Sequence, residues 1–186
     1  MKLRVATCQF PVSADIDANL AVILGQMEEA RGRGADVVHF PEACLSGYAE
    51  TDFASFAGFP WETLRQAMRA VMRRAGELGI WTVIGSAHEL SPGRKPHNSS
   101  YVIDAEGMIV DRYDKLFCAG DRESRSGDLA YYTPGSHFAV FTIKGVRCGA
   151  LICHDYRYPE LYREYKKRGV ELMFHSFHAG GVEPQR

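Results

Sequence analysis

Three reactive side chains in this sequence each follow an apolar run. Glu42 follows DVVHFP, Lys115 closes MIVDRYDK and Cys153 closes CGALIC. A carboxylate, an ammonium and a thiol brought together are the parts of nucleophilic acyl chemistry. The carboxylate removes the thiol proton and the thiolate attacks a carbonyl-type carbon. The ammonium faces the developing oxyanion, with backbone N–H groups at the start of the following helix as further donors. Lys⁺ beside the thiol is also expected to lower its pKa. Each residue has a plainer role too. A cysteine at a strand end is commonly core, a glutamate after proline can cap a loop, and a lysine can end a strand in solvent. Spacing alone does not choose between these roles.

The elements that must position the three side chains follow an α/β rhythm. LRVATCQF (3–10) reads as a strand closed by Pro11. Residues 17–31 read as a helix with Leu20, Ile23, Leu24 and Met27 on one face and Asp17 as N-cap. DVVHF (36–40) is a short apolar strand. The clearest helical period runs over 61–78, opened by Pro60 and closed by Gly79. WTVIGSAHEL (81–90) is a strand, 99–115 a hairpin turning at Ala105-Glu106-Gly107, and 137–153 a second hairpin turning at Lys144-Gly145. Pro159 starts a helix that Gly169 ends, and ELMFHSF (171–177) is the last strand. Strand–helix–strand units imply parallel neighbours and hairpins antiparallel ones, so the fold class is α/β with a mixed sheet. Helices cover one face, and the other is expected to stack on a second sheet. In such sheets chemistry gathers beyond the carboxyl ends of the strands, where all three residues fall.

Composition narrows the functional class. The chain has 186 residues and a formal charge of −1, with Lys and Arg scattered, which argues against nucleic acid as a partner. No apolar run is long enough to cross a bilayer, and MKLRVATCQF lacks the apolar core of a signal peptide. The five cysteines, Cys8, Cys44, Cys118, Cys148 and Cys153, are odd in number and form no C-x-x-C, the pattern of a reduced, cytoplasmic protein. His175 and His178 have metal-compatible spacing but no further ligands beside them, so no metal is expected.

The local motifs say more than the spacing. HFPEACLSGY (39–48), YDKLF (113–117) and GALICHDYRYPELYR (149–163) occur in this order. Together they resemble the carbon–nitrogen hydrolase (nitrilase) superfamily, and the resemblance runs from VATCQFPV through IGSAHE to ELMFHSF. It implies an α-β-β-α sandwich, a Glu42–Lys115–Cys153 catalytic triad, the His154 backbone amide as an oxyanion donor, no cofactor, and a homodimer or higher homo-oligomer. The reaction implied is cleavage of a non-peptide C–N bond through a cysteine thioester, with loss of ammonia or amine. Cys153-His154-Asp155 differs from the Cys-Trp-Glu of true nitrilases and is nearer the amidase and carbamoylase branches, so a small amide or N-carbamoyl compound is the expected substrate. Many members carry a fourth acid between the lysine and the cysteine. Asp128 has the better register here and Glu123 the more usual side chain, and 118–135 reads as a mobile loop bordering the pocket with few apolar anchors.

Arg157 could clamp a substrate carboxylate or pair with Glu160, and Tyr48 and Phe177 could line the pocket or simply pack. Cys44 is a rival thiol without the strand-to-helix setting, while Cys8, Cys118 and Cys148 read as packing. Family members are longer, so residues 1–186 are expected to form one carbon–nitrogen hydrolase domain lacking its C-terminal part. That length leaves a second function class open, an inactive relative serving as a binding module. A third is a different thiol enzyme pairing Cys153 with His154 or His178.

Overall fold

A computed structural model of the chain describes residues 2–91, 93–121, 123–124 and 126–178. Strand β1 (Val5–Thr7) leads into helix α1 (Ile16–Gly32), strand β2 (Val37–His39), helix α2 (Trp61–Leu78) and strand β3 (Trp81–His88). The hairpin β4 (His97–Ile103) and β5 (Ile109–Asp114) follows, then the short helix α3 (Asp128–Tyr131). The second hairpin is β6 (Val140–Ile143) and β7 (Val146–Ile152). A 3-10 turn (Cys153–Arg157), helix α4 (Pro159–Lys167) and strand β8 (Leu172–Ser176) complete the described chain.

Among the described residues these strands form two sheets, ordered β1-β2-β3-β4-β5 and β6-β7-β8. The β1–β2, β2–β3 and β7–β8 pairs are parallel, and the two hairpins are antiparallel. Helices α1 and α2 pack Ile23, Met27, Leu64 and Val71 against Val38, Ile84 and Ile103 of the first sheet. The other face presents Val37, Val83, Val102 and Tyr113 to Phe141, Cys148, Ala150 and Ile152 of the second sheet. Leu161 and Tyr165 of α4 close the far side, and Tyr165 donates to the Ala150 carbonyl at 2.6 Å. The layers are therefore helix, sheet, sheet and helix, the sandwich the sequence implied.

Most elements form for the reasons read from the sequence. Gly79 ends α2 in the left-handed conformation, and Lys144-Gly145 turn the second hairpin with φ of 47° and 80°. Three readings need correction. The first strand is confined to Val5–Thr7. The N-cap of α1 is Asp15, whose carboxylate accepts from the Ala18 amide at 3.0 Å, because Asp17 already lies inside the first turn. Segment 118–135 is anchored: Cys118 and Tyr132 are buried with Ala49, and Asp128–Tyr131 form α3. None of the described helices is long and apolar enough to cross a membrane.

Candidate active site

The carboxyl ends of β2, β5, β7 and β8 meet at one place. Beyond β2 the chain turns through Glu42 and Ala43, whose φ of 53° is strained for a residue with a side chain. The turn lies flat on β3 only because Gly85 has no β-carbon. A methyl there would stand 2.3 Å from the Pro41 carbonyl oxygen. Glu42 is wholly buried and fully engaged. Oε1 accepts from Asn98 Nδ2 and Lys115 Nζ, each at 2.8 Å, and Oε2 accepts from the His178 amide at 2.9 Å. Its own amide donates to the Phe177 carbonyl at 3.2 Å, so the end of β8 holds it from two sides.

Lys115 continues β5 by one residue. Its amide donates to the Asn98 carbonyl at 2.8 Å and its carbonyl accepts from the Gly135 amide at 2.9 Å. The side chain is 1% exposed. Nζ spans Glu42 Oε1 at 2.8 Å and Asp128 Oδ2 at 2.7 Å, and sits 5.9 Å over the Tyr48 ring. Burial works against this charge, but the two carboxylates outweigh it and hold the lysine pKa above its usual value. Asp128 also accepts from the Ala119 amide at 2.9 Å, and the Tyr48 hydroxyl donates to its other oxygen.

Cys153 follows β7 with φ of 42°, a second left-handed residue at the site. The Glu42 carboxylate and the Lys115 ammonium both lie near enough to act on its thiol. Burial is the largest influence on the thiol and Glu42 the next. Together they push its pKa up to about 12 against the opposing pull of Lys115. The lysine thus acts in the expected direction, but the thiol is not made acidic. It is a neutral group with a carboxylate beside it. The turn after Cys153 is also not the helix expected there. A 3-10 turn of five residues intervenes and α4 begins only at Pro159, so the nearby donors are the turn's first amides, among them His154. His175 Nε2 lies 3.2 Å from the Cys153 carbonyl, with Tyr162 on its other nitrogen at 3.1 Å.

The structure brings together Glu42, Lys115, Cys153, Asp128 and Tyr48. Glu123 is exposed. Arg157 points into solvent and bonds the Tyr156 hydroxyl at 3.2 Å. Phe177 is 47% exposed and stacks on His175 with centroids 4.3 Å apart, so it serves Glu42 through its carbonyl rather than its ring. The His154 ring lies edge-on to Tyr158, and the His178 ring stacks on Tyr48 at 4.9 Å. Cys44 is buried with its thiol on the Gly85 carbonyl at 3.4 Å.

A family model for carbon-nitrogen hydrolases matches residues 4–185. The chain belongs to the carbon-nitrogen hydrolase family. Similar proteins include a 2-oxoglutaramate amidase of Bacillus subtilis, 29% identical, the match covering 94% of this chain and 64% of that protein. An omega-amidase of Xenopus tropicalis is also 29% identical, covering 92% and 62%. This carbon-nitrogen hydrolase chain therefore spans less than two thirds of the length of these relatives. An amidase from Nesterenkonia sp. has the same fold, with a TM-score of 0.84 at 23% identity over 97% of this chain and 66% of its own.

Asn98 and Asp155 of this carbon-nitrogen hydrolase site escape the sequence reading, and His178 enters it only through its ring. Asn98 binds Glu42 through its side chain and Lys115 through its backbone. Its signal was a run of polar residues, His97 to Ser100, inside a strand that proves buried. The second is Asp155, wholly buried, which accepts from the Ile152 and Phe117 amides and the Tyr113 hydroxyl. His178 acts through its amide, and a backbone contact leaves no mark in side-chain type.

Proposed function

We propose that this site hydrolyses small primary amides through a Cys153 thioester, with Glu42 as the shared acid and base and Lys115 facing the oxyanion. The observation that carries this reading is the wholly buried Glu42 carboxylate, fixed by a buried lysine and close enough to Cys153 to act on its thiol. Glu42 takes the thiol proton as sulfur attacks the amide carbon. The carbonyl electrons move to oxygen, where Lys115 and the His154 amide receive the charge. Glu42 returns the proton to the leaving nitrogen, the C–N bond breaks and ammonia departs. Water then gives a proton to Glu42 and attacks the thioester, the C–S bond breaks, and sulfur regains its proton as the acid leaves. Asp128 balances the lysine charge from the far side.

The names of the relatives support an amide over an N-carbamoyl group. One structure of the Nesterenkonia amidase is described as holding butyramide, and another as bearing the acetamide moiety of fluoroacetamide on its active-site cysteine. The test is ammonia release from a panel of primary amides, ω-amides of dicarboxylic acids and N-carbamoyl acids, with Cys153→Ala alongside. Turnover of amides by wild type alone is expected, with an acyl adduct visible in the intact mass after quenching. Undiminished turnover by Cys153→Ala would end the proposal.

A further inference from the structure

We propose that Asp155 is a positioning residue that ties the loop bearing Lys115 to the turn bearing Cys153. The inference rests on the reading of these two as reaction partners. The carboxylate Oδ2 accepts from the Tyr113 hydroxyl at 2.8 Å and the Ile152 amide at 3.0 Å, and Oδ1 accepts from the Phe117 amide at 2.9 Å. Tyr113 and Phe117 stand two residues before and two after Lys115. Ile152 and Asp155 stand one residue before and two after Cys153. One buried side chain therefore clamps both flanks of the lysine and both flanks of the nucleophile.

A simpler role covers only part of this. An acid at the third position of a turn commonly bonds back to the amide before it, which accounts for the Ile152 contact. The other two bonds cross from the second sheet to the end of β5 and do nothing for the turn itself. Asp155 is wholly buried, and burial raises its pKa against the pull of its three donors. Tyr113 answers in kind, its hydroxyl made less acidic by burial and by the Asp155 charge. Burying a charge is unfavourable unless its bonds are complete, and an apolar side chain would fill the space at lower cost. What an apolar side chain would not supply is a set of directional bonds that fix the separation between the end of β5 and the turn after β7. Lys115 needs that separation, since small displacements at a reacting centre are costly.

Asparagine at 155 has one acceptor oxygen, so either the Phe117 or the Ile152 amide faces an NH₂ group. Tyr113→Phe removes one bond and keeps the ring in the core. Both variants are made in the full chain, and two properties are read per folded molecule: butyramide hydrolysis, and the pH profile of Cys153 alkylation by iodoacetamide. Tyr113→Phe is expected to lower kcat about tenfold, the loss of one hydrogen bond to a charged group, with KM within about twofold. Its alkylation profile moves to higher pH, because Lys115 withdraws from the thiol whose ionisation it favours. Asp155→Asn lowers kcat further, by about a hundredfold. If both folded variants keep wild-type kcat and the wild-type profile and merely melt earlier, the proposal is overturned. Should Asp155→Asn not fold, Tyr113→Phe decides alone. A wild type that hydrolyses no amide refutes the hydrolase reading, and the alkylation profile still tests the tether.

Discussion

A β-carbon on Gly85 would lie 2.8 Å from the carbonyl carbon of Glu42. The general base of the proposed reaction is thus seated directly on a bare stretch of neighbouring strand. The Gly85 carbonyl also accepts from the Leu45 amide at 3.1 Å. Gly85→Ala must push that turn away. A loss of about 1–3 kcal/mol is expected from the overpacking, read as an earlier urea midpoint with the slope unchanged. Amide turnover should fall by more than the folded fraction, because Glu42 moves with its turn.

Removing the Glu42 charge separates two properties of the thiol. The carboxylate raises the Cys153 pKa and Lys115 lowers it. In Glu42→Gln the raising influence goes and the lowering one stays, so the thiolate fraction at pH 8 increases. Iodoacetamide should then alkylate Cys153 faster than in wild type, while amide hydrolysis falls by at least about a hundredfold for want of a base. Alkylation slower than wild type would contradict the charge assignment.

Asp128 and Glu123 make opposite predictions. Asp128 pairs with Lys115 at 2.7 Å and Glu123 is exposed. Asp128→Asn should lower kcat roughly 10- to 100-fold, as expected for a charged hydrogen bond. Because Asp128 helps to raise the Lys115 pKa, the alkaline limb of the pH–rate profile should move to lower pH. Glu123→Ala should leave both unchanged.

Asn98→Ala leaves Glu42 Oε1 with Lys115 alone. A drop in kcat of about tenfold or more is expected, again from one bond to a charged group, with little change in melting temperature. Equal loss of stability and activity would instead make Asn98 a core residue.

The sequence leaves Arg157 between a substrate carboxylate and a pairing with Glu160, and the structure turns it to solvent on the Tyr156 hydroxyl. KM for any amide should stay within about twofold in Arg157→Ala, as for surface substitutions away from a site.

What the sequence made legible was whatever depends on side-chain type at an element's end. Glu42, Lys115 and Cys153 each stop an apolar strand, and Pro60 and Gly79 bound α2 with residue types that permit little else. The cap of α1 was misplaced by two residues because Asp15 and Asp17 are the same type, and only backbone geometry distinguishes a cap from a first-turn acid. The lysine lowers the thiol pKa as the sequence implies, but the sequence does not display the burial that outweighs it. Segment 118–135 looked unanchored because its anchors, Cys118, Asp128 and Tyr132, are held by residues near 48, far along the chain. Asn98 and Asp155 were missed for the same reason, since their partners lie 56 and 42 residues away.

Glu42 and Asp128 flank the one buried ammonium of Lys115. In the proposed reaction a neutral amide becomes an acid that is anionic at neutral pH, formed beside two carboxylates and one ammonium. Repulsion at such distances is strong where water is scarce. The proposed reaction would therefore make its own product a poor occupant, and turnover should be little slowed by accumulated carboxylate. Ammonia leaves in the first half of the proposed reaction, before that anion exists, so the repulsion acts on the second product alone.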